Sequence, residues 1–246
     1  IITVDEFVNN VDKFFDKDVC DFVEKFGMHT RNTLGATNTS HAYMNTVLSN
    51  AIAQKQFHPL NVLSKDEFDK LKPKNVKTAE MPNQKLALAQ RGFHNKDIIN
   101  IYLGKQKSDC LLPNGMHGSS IYTAYNDFTA QSYASQYSSS GKPGYVMSFL
   151  VDNEKGNTIS DTNFRRNQFQ EMRMKLPEIK NKIIEKCKAL GKDDKYGQTM
   201  AHIFESTLKH DETFGPLLLG YDAVYVPSRE FCLILNWKNV YAREDW

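Results

Sequence analysis

Three short segments place an arginine, a tyrosine and a glutamate at the end or in the middle of apolar runs. They are Lys85-Leu-Ala-Leu-Ala-Gln-Arg91-Gly92, Gly118-Ser-Ser-Ile-Tyr122-Thr-Ala124, and the stretch from Gly220 to Asn236 that carries Glu230 before Phe-Cys-Leu-Ile-Leu. Each run is the length of a buried strand. Arg91 offers a forked, permanently charged donor set suited to phosphate. Tyr122 offers a ring face that can fix a flat heterocycle. Glu230 offers an anion able to stabilise positive charge developing on a sugar. Delivered by three strands to one cleft, the three would suit cleavage of a bond between a ribose and an aromatic base.

The order of these segments resembles the ADP-ribosyltransferase superfamily, over about residues 85–243. That family carries an Arg or His on its first core strand. A Gly-x-Gly-Ile-Tyr-Phe-like or Ser-Thr-Ser segment follows on the second, and a Glu opens a late strand. Arg91-Gly92, Gly118–Ala124 and Glu230–Asn236 stand at those places, the last introduced by Gly220-Tyr-Asp-Ala-Val. The resemblance implies an α+β fold with a mixed, split β-sheet and NAD as co-substrate, with no metal. It implies Arg91, Tyr122 and Glu230 as catalytic residues, and Arg91, Gly92, Ser119, Ser120, Tyr122 and Tyr133 as contacts to NAD. It further implies transfer of ADP-ribose to a macromolecule, a protein in preference to a nucleic acid, by a bacterial or phage toxin or effector delivered into a host. With water as acceptor the same scaffold would be an NAD glycohydrolase. With turnover lost it would be a binding module.

Two departures narrow the reading. Tyr122 is followed by Thr-Ala where relatives have Phe-Ala, and Ser228 stands two residues before Glu230. Relatives that modify arginine usually have a Glu at that position, so an arginine acceptor is not expected. His94 and His117 flank the Arg and Tyr segments, and Ser138–Gly144 is a Ser/Gly run where a lid over nicotinamide could lie.

The composition is that of a folded protein of one large or two small domains, with a net charge of +2 that selects for no polyanion. No apolar run approaches the ~18–20 residues that span a bilayer. Four scattered cysteines without a CxxC pair argue against a zinc site or a disulfide framework, and the seven histidines share no ligand-like spacing. The chain opens on Ile1, as expected of a piece of a longer protein.

The elements that must position the three residues follow from pattern. Capping boxes at Thr3–Glu6 and Ser64–Glu67 start helices. Apolar residues from Phe7 to Phe26 and from Tyr43 to Ile52 recur at helical spacing. Residues 1–80 are thus expected as a helical segment packing on a catalytic domain of residues 85–246. In that domain the patterns predict strands near 85–90, 119–124, 145–151, 221–226 and 231–237. They predict helices over 95–103, 126–135, 161–190 with a break near Pro177, and 196–209.

Overall fold

Both capping hydroxyls close their helix N-termini. Thr3 Oγ1 accepts the Glu6 N–H at 3.1 Å, and Ser64 Oγ accepts the Glu67 N–H at 3.2 Å. The computed structural model describes residues 1–27 and 40–246. In chain order its elements are α1 (Val4–Asn9), α2 (Val11–Phe14), α3 (Lys17–Gly27), α4 (Ser40–Gln56), β1 (Asn61–Leu63), α5 (Lys65–Leu71), β2 (Leu86–Phe93), α6 (Ile98–Tyr102) and β3 (Ile121–Ala124). Next come α7 (Asp127–Ser139), β4 (Tyr145–Asp152), β5 (Thr158–Ser160), α8 (Asp161–Arg166), α9 (Gln168–Met174), α10 (Leu176–Ala189), α11 (Asp194–His210) and α12 (Phe214–Leu218). The last three strands are β6 (Ala223–Val226), β7 (Phe231–Ile234) and β8 (Val240–Arg243). The fold is α+β, with twelve α-helices among the described residues and a mixed eight-stranded sheet.

Packing divides the chain into two units that interleave along the sequence. The helical unit comprises Ile1–Gln56, Asp109–Ser120 and Asp161–Tyr221, and the sheet unit Phe57–Ser108, Ile121–Ser160 and Asp222–Trp246. A linear boundary near residue 80 is therefore not where the chain divides. Residues 161–221 join the N-terminal helices because their apolar stripes complete one core. Phe204 of α11 stacks on Phe7 at 6.2 Å and meets Phe15 and Phe214 edge-on at 5.9 and 5.7 Å. Helix α4 is buried on its polar side as well, with Asn45, Thr46, Ser49 and Asn50 hidden. The Asn50 amide donates to the carbonyls of Thr46 and Leu112 and accepts the N–H groups of Leu111 and Leu112, pinning the segment 109–120 to α4.

The whole sheet lies in the sheet unit, in the order β1-β8-β4-β2-β3-β7-β6-β5. Strands β1, β5 and β8 have no distinguishing run in the sequence, and their pairing with β8, β6 and β4 decides them. The residues before α5 are in the sheet unit because β1 pairs parallel with β8. Strand β2 runs antiparallel to β4 along its full length, from Leu86↔Asp152 to Phe93↔Tyr145. Its apolar face packs into a core with Phe149, Trp237 and Tyr102, whose rings lie 4.5–5.2 Å apart. None of the described helices is long and apolar enough to cross a membrane.

Candidate active site

The strands that carry Arg91 and Tyr122 and the strand that Glu230 precedes are consecutive neighbours, β2, β3 and β7. Between β2 and β3 the sheet is split. The two strands share a single bridged pair, Gln90↔Ala124, while β3 and β7 stay in register from Ile121↔Ile234 to Ala124↔Phe231. Beyond the Gln90–Ala124 bridge the strands part, and Arg91 sits one residue inside the opening. Its Nη1 donates to the Tyr122 carbonyl at 2.8 Å. Its Nε is buried with no protein acceptor, and no carboxylate partners the guanidinium among the described residues. A half-buried cation with no counter-ion is costly, and an anionic ligand would relieve that cost.

Side chains alternate along a strand, so the Gln90–Ala124 pair sets Tyr122 on the face of Gln90 and Gly92, and Arg91 on the opposite one. The guanidinium therefore meets the main chain of Tyr122 and not its ring. The Tyr122 ring is half-buried and packs edge-on against Phe231 at 6.0 Å. Phe231 is a site neighbour that the sequence did not single out; its nearest signal was its place directly after Glu230.

Glu230 closes the four-residue loop that joins β6 to β7. The loop is a tight turn in which Arg229 N donates to Val226 O and Glu230 N to Pro227 O, at 3.1 and 3.3 Å. Glu230 has a φ of 58°, in the left-handed region that glycine and asparagine adopt at least cost. A glutamate there costs about 1–2 kcal/mol. Its carbonyl accepts the Tyr125 N–H at 2.9 Å, which ties the loop end to the end of β3. Its carboxylate has no hydrogen-bond or ion-pair partner among the described residues, so its side chain contributes nothing evident to the fold. Backbone strain at a residue whose side chain the fold does not use is typical of functional positions.

Helix α7 covers Gly92. A Cβ at Gly92 would lie 2.1 Å from the Ala130 carbonyl oxygen and 2.9 Å from the Ala134 nitrogen, both backbone atoms. Only glycine lets α7 approach β2 so closely. Gly92→Ala is expected to lose roughly 1–3 kcal/mol in urea unfolding, because the helix must move as a body. Unchanged stability would show that α7 gives way freely. Tyr133 on α7 is 48 % exposed and Phe128, at its first turn, 81 % exposed. The helix runs four residues past its expected end and absorbs Ser138 and Ser139. Gly144 packs against it, with a Cβ position 2.1 Å from the Ala134 carbonyl oxygen, so the Ser/Gly run is a helix end and tight turn and not an open lid. His94, half-buried after β2, has its ring 4.6 Å from that of Tyr137.

Ser119 and Ser120 belong to the helical unit. The Ser119 hydroxyl donates to Thr46 Oγ1 at 3.2 Å, and its carbonyl accepts the Thr213 hydroxyl at 3.0 Å. Both serines are fully buried, and Ser120 Oγ has no protein partner. His117 is paired with Glu212 at 3.1 Å in the same unit. Several lysines of the basic stretch 161–190 are likewise matched by acids, Lys180 by Glu205 at 2.8 Å among them. Among the described residues no group of three or more His, Cys, Asp or Glu side chains could hold a metal ion.

Comparison with protein-family models, curated proteins and solved structures gives no match to this chain.

Proposed function

We propose that this chain is a mono-ADP-ribosyltransferase that cleaves the nicotinamide–ribose bond of NAD and passes ADP-ribose to a macromolecular acceptor. The observation that carries the reading is a half-buried guanidinium without a counter-ion, separated by one intervening strand from the strand preceded by a strained glutamate whose carboxylate has no partner among the described residues. Arg91 would hold the phosphate or nicotinamide-ribose end of NAD at the mouth of the split. Glu230 would hydrogen-bond the ribose and face the cationic transition state, where a fixed anion stabilises the developing charge more than it does the neutral ground state. Tyr122, which leaves the sheet on the face opposite Arg91, and Tyr133 from α7 would supply the aromatic surface for nicotinamide if NAD passes through the mouth of the split. The acceptor would be a protein met in a host cell, and not at an arginine, since Ser228 offers no carboxylate to orient a guanidinium.

The test is incubation with labelled NAD and a host lysate, with nicotinamide release and labelled macromolecules followed together. Label on a macromolecule with stoichiometric nicotinamide supports transfer; nicotinamide release without label assigns water as acceptor. Arg91→Lys keeps the charge and loses the fork, so KM for NAD should rise about tenfold with a smaller change in kcat. The reading fails if NAD is neither bound nor cleaved by the wild-type chain.

A further inference from the structure

We propose that the cavity beside Asp211, within the helical unit, is a binding site for a monovalent cation about the size of a water molecule, ammonium or potassium. The cavity measures about 20 Å³, room for one particle of that size. Its charged lining is Asp161 and Arg165 of α8, Lys209 of α11, and Asp211 and Glu212 in the turn that follows, all of one packing unit. Phe164 and Leu208 supply apolar wall, and Phe164 is pressed on Gly215, where a Cβ would lie 2.3 Å from its Cζ.

The cations of this lining are already matched. Arg165 pairs with Glu212 at 3.5 Å, and Lys209 with Glu205 at 3.1 Å. Glu212 also pairs with His117 at 3.1 Å. That leaves two carboxylates, Asp161 and Asp211, with no ion pair among the described residues. One oxygen of Asp161 accepts the Thr162 N–H at 2.8 Å.

Asp211 is the group that needs a ligand. It is 7 % exposed, and its Oδ2 is buried with no hydrogen-bond partner. The backbone holds it in place: its N–H donates to the Thr207 carbonyl at 2.9 Å, and its carbonyl accepts the Phe214 N–H at 3.0 Å. Gly118, with a φ of 114°, presses on it from the other side. A Cβ at Gly118 would lie 3.1 Å from the Asp211 Cβ and 2.4 Å from Thr213 Oγ1. The Thr213 hydroxyl in turn donates to the Ser119 carbonyl at 3.0 Å. A carboxylate packed this way cannot turn out to bulk water, so its partner must come to it. A water molecule would satisfy the oxygen and leave the charge uncompensated; a cation does both. A divalent metal is disfavoured. Among the described residues no three His, Cys, Asp or Glu side chains are placed to hold one, and Arg165 and Lys209 in the walls oppose a second positive charge. Burial raises the Asp211 carboxyl to about 6, so it is ionised at pH 7.5, and below pH 6 a proton competes for the same oxygen.

The experiment melts the full chain in ammonium, potassium and tetramethylammonium chloride at one ionic strength. At pH 7.5 the melting temperature should be roughly 2–5 °C higher in ammonium or potassium than in tetramethylammonium, which is too large for the cavity. At pH 4.5, where the proton has taken the site, the difference should vanish. Asp211→Asn should abolish it at pH 7.5. If that variant fails to fold, the wild-type comparison at the two pH values decides alone. Equal melting temperatures in the three salts at pH 7.5 would overturn the proposal. So would a difference as large at pH 4.5, which marks a general salt effect, or one that persists in Asp211→Asn.

Discussion

Glu230→Gln should release nicotinamide from NAD about 10²–10³-fold more slowly than the wild type, with NAD binding by calorimetry nearly unchanged. The amide keeps the size and one accepting oxygen of the carboxylate and removes the charge that the cationic transition state needs. A second arm separates chemistry from folding. Glu230 pays about 1–2 kcal/mol for its left-handed backbone, and neither asparagine nor glycine bears that cost in full. Glu230→Asn and Glu230→Gly should therefore be as stable as the wild type or up to about 1 kcal/mol more stable, while equally inactive. A loss of stability in all three variants would mark Glu230 as a structural residue. Full activity in Glu230→Gln would remove it from the mechanism.

The second large effect is a pH dependence set by one carboxyl group in the helical unit. Asp211 follows α11 and is 7 % exposed. One oxygen accepts the Ser119 N–H, while Oδ2 is buried with no partner in the protein. It borders a small cavity with Asp161, Arg165, Lys209 and Glu212, where Glu212 also pairs with His117 and Arg165. Burial raises its pKa from 3.8 to about 6, against the lowering effect of the Ser119 hydrogen bond. As pH falls through about 6 the folded chain takes up this proton, while the unfolded chain does so only near 3.8. The native state then binds more protons, so this group adds stability on acidification from pH 7 to about pH 4, and nothing further below. The contribution over that window is about 2–3 kcal/mol. The stability of Asp211→Asn, measured by urea unfolding, should lack it. The wild-type chain should thus lose about 2–3 kcal/mol relative to Asp211→Asn between pH 4.5 and pH 7.5. Parallel pH profiles would refute the assignment.

What could be read from the sequence is what short-range chemistry specifies. The capping hydroxyls of Thr3 and Ser64, the apolar spacing of α4 and the strands around Arg91, Tyr122 and Phe231 all depend on neighbours within a few residues. Their boundaries follow to within a turn or a few residues. The helical spacing from Phe7 to Phe26 is divided in the structure among three helices. The chain breaks at Asn10 and at Phe15–Asp16, so that α1, α2 and α3 can each turn an apolar stripe inward. The strands β1, β5 and β8 and the helix α12 escaped notice because their short runs are specified by pairing and packing with distant segments.

For the candidate site the division is similar. Arginine, tyrosine and glutamate were visible as residue types near strands, because each interrupts an apolar run. Three things were not visible: the single bridge that opens the sheet between Gln90 and Ala124, the left-handed backbone at Glu230, and the burial of Ser119 and Ser120 among the helices. By itself the sequence determined where helices and strands begin and which polar residues border them, since propensity, capping and periodicity act locally. Only the tertiary structure decided which strands are neighbours and which face each side chain leaves by. Those outcomes depend on pairing and packing between distant segments, whose free energy is shared among many contacts and written in no single stretch of chain.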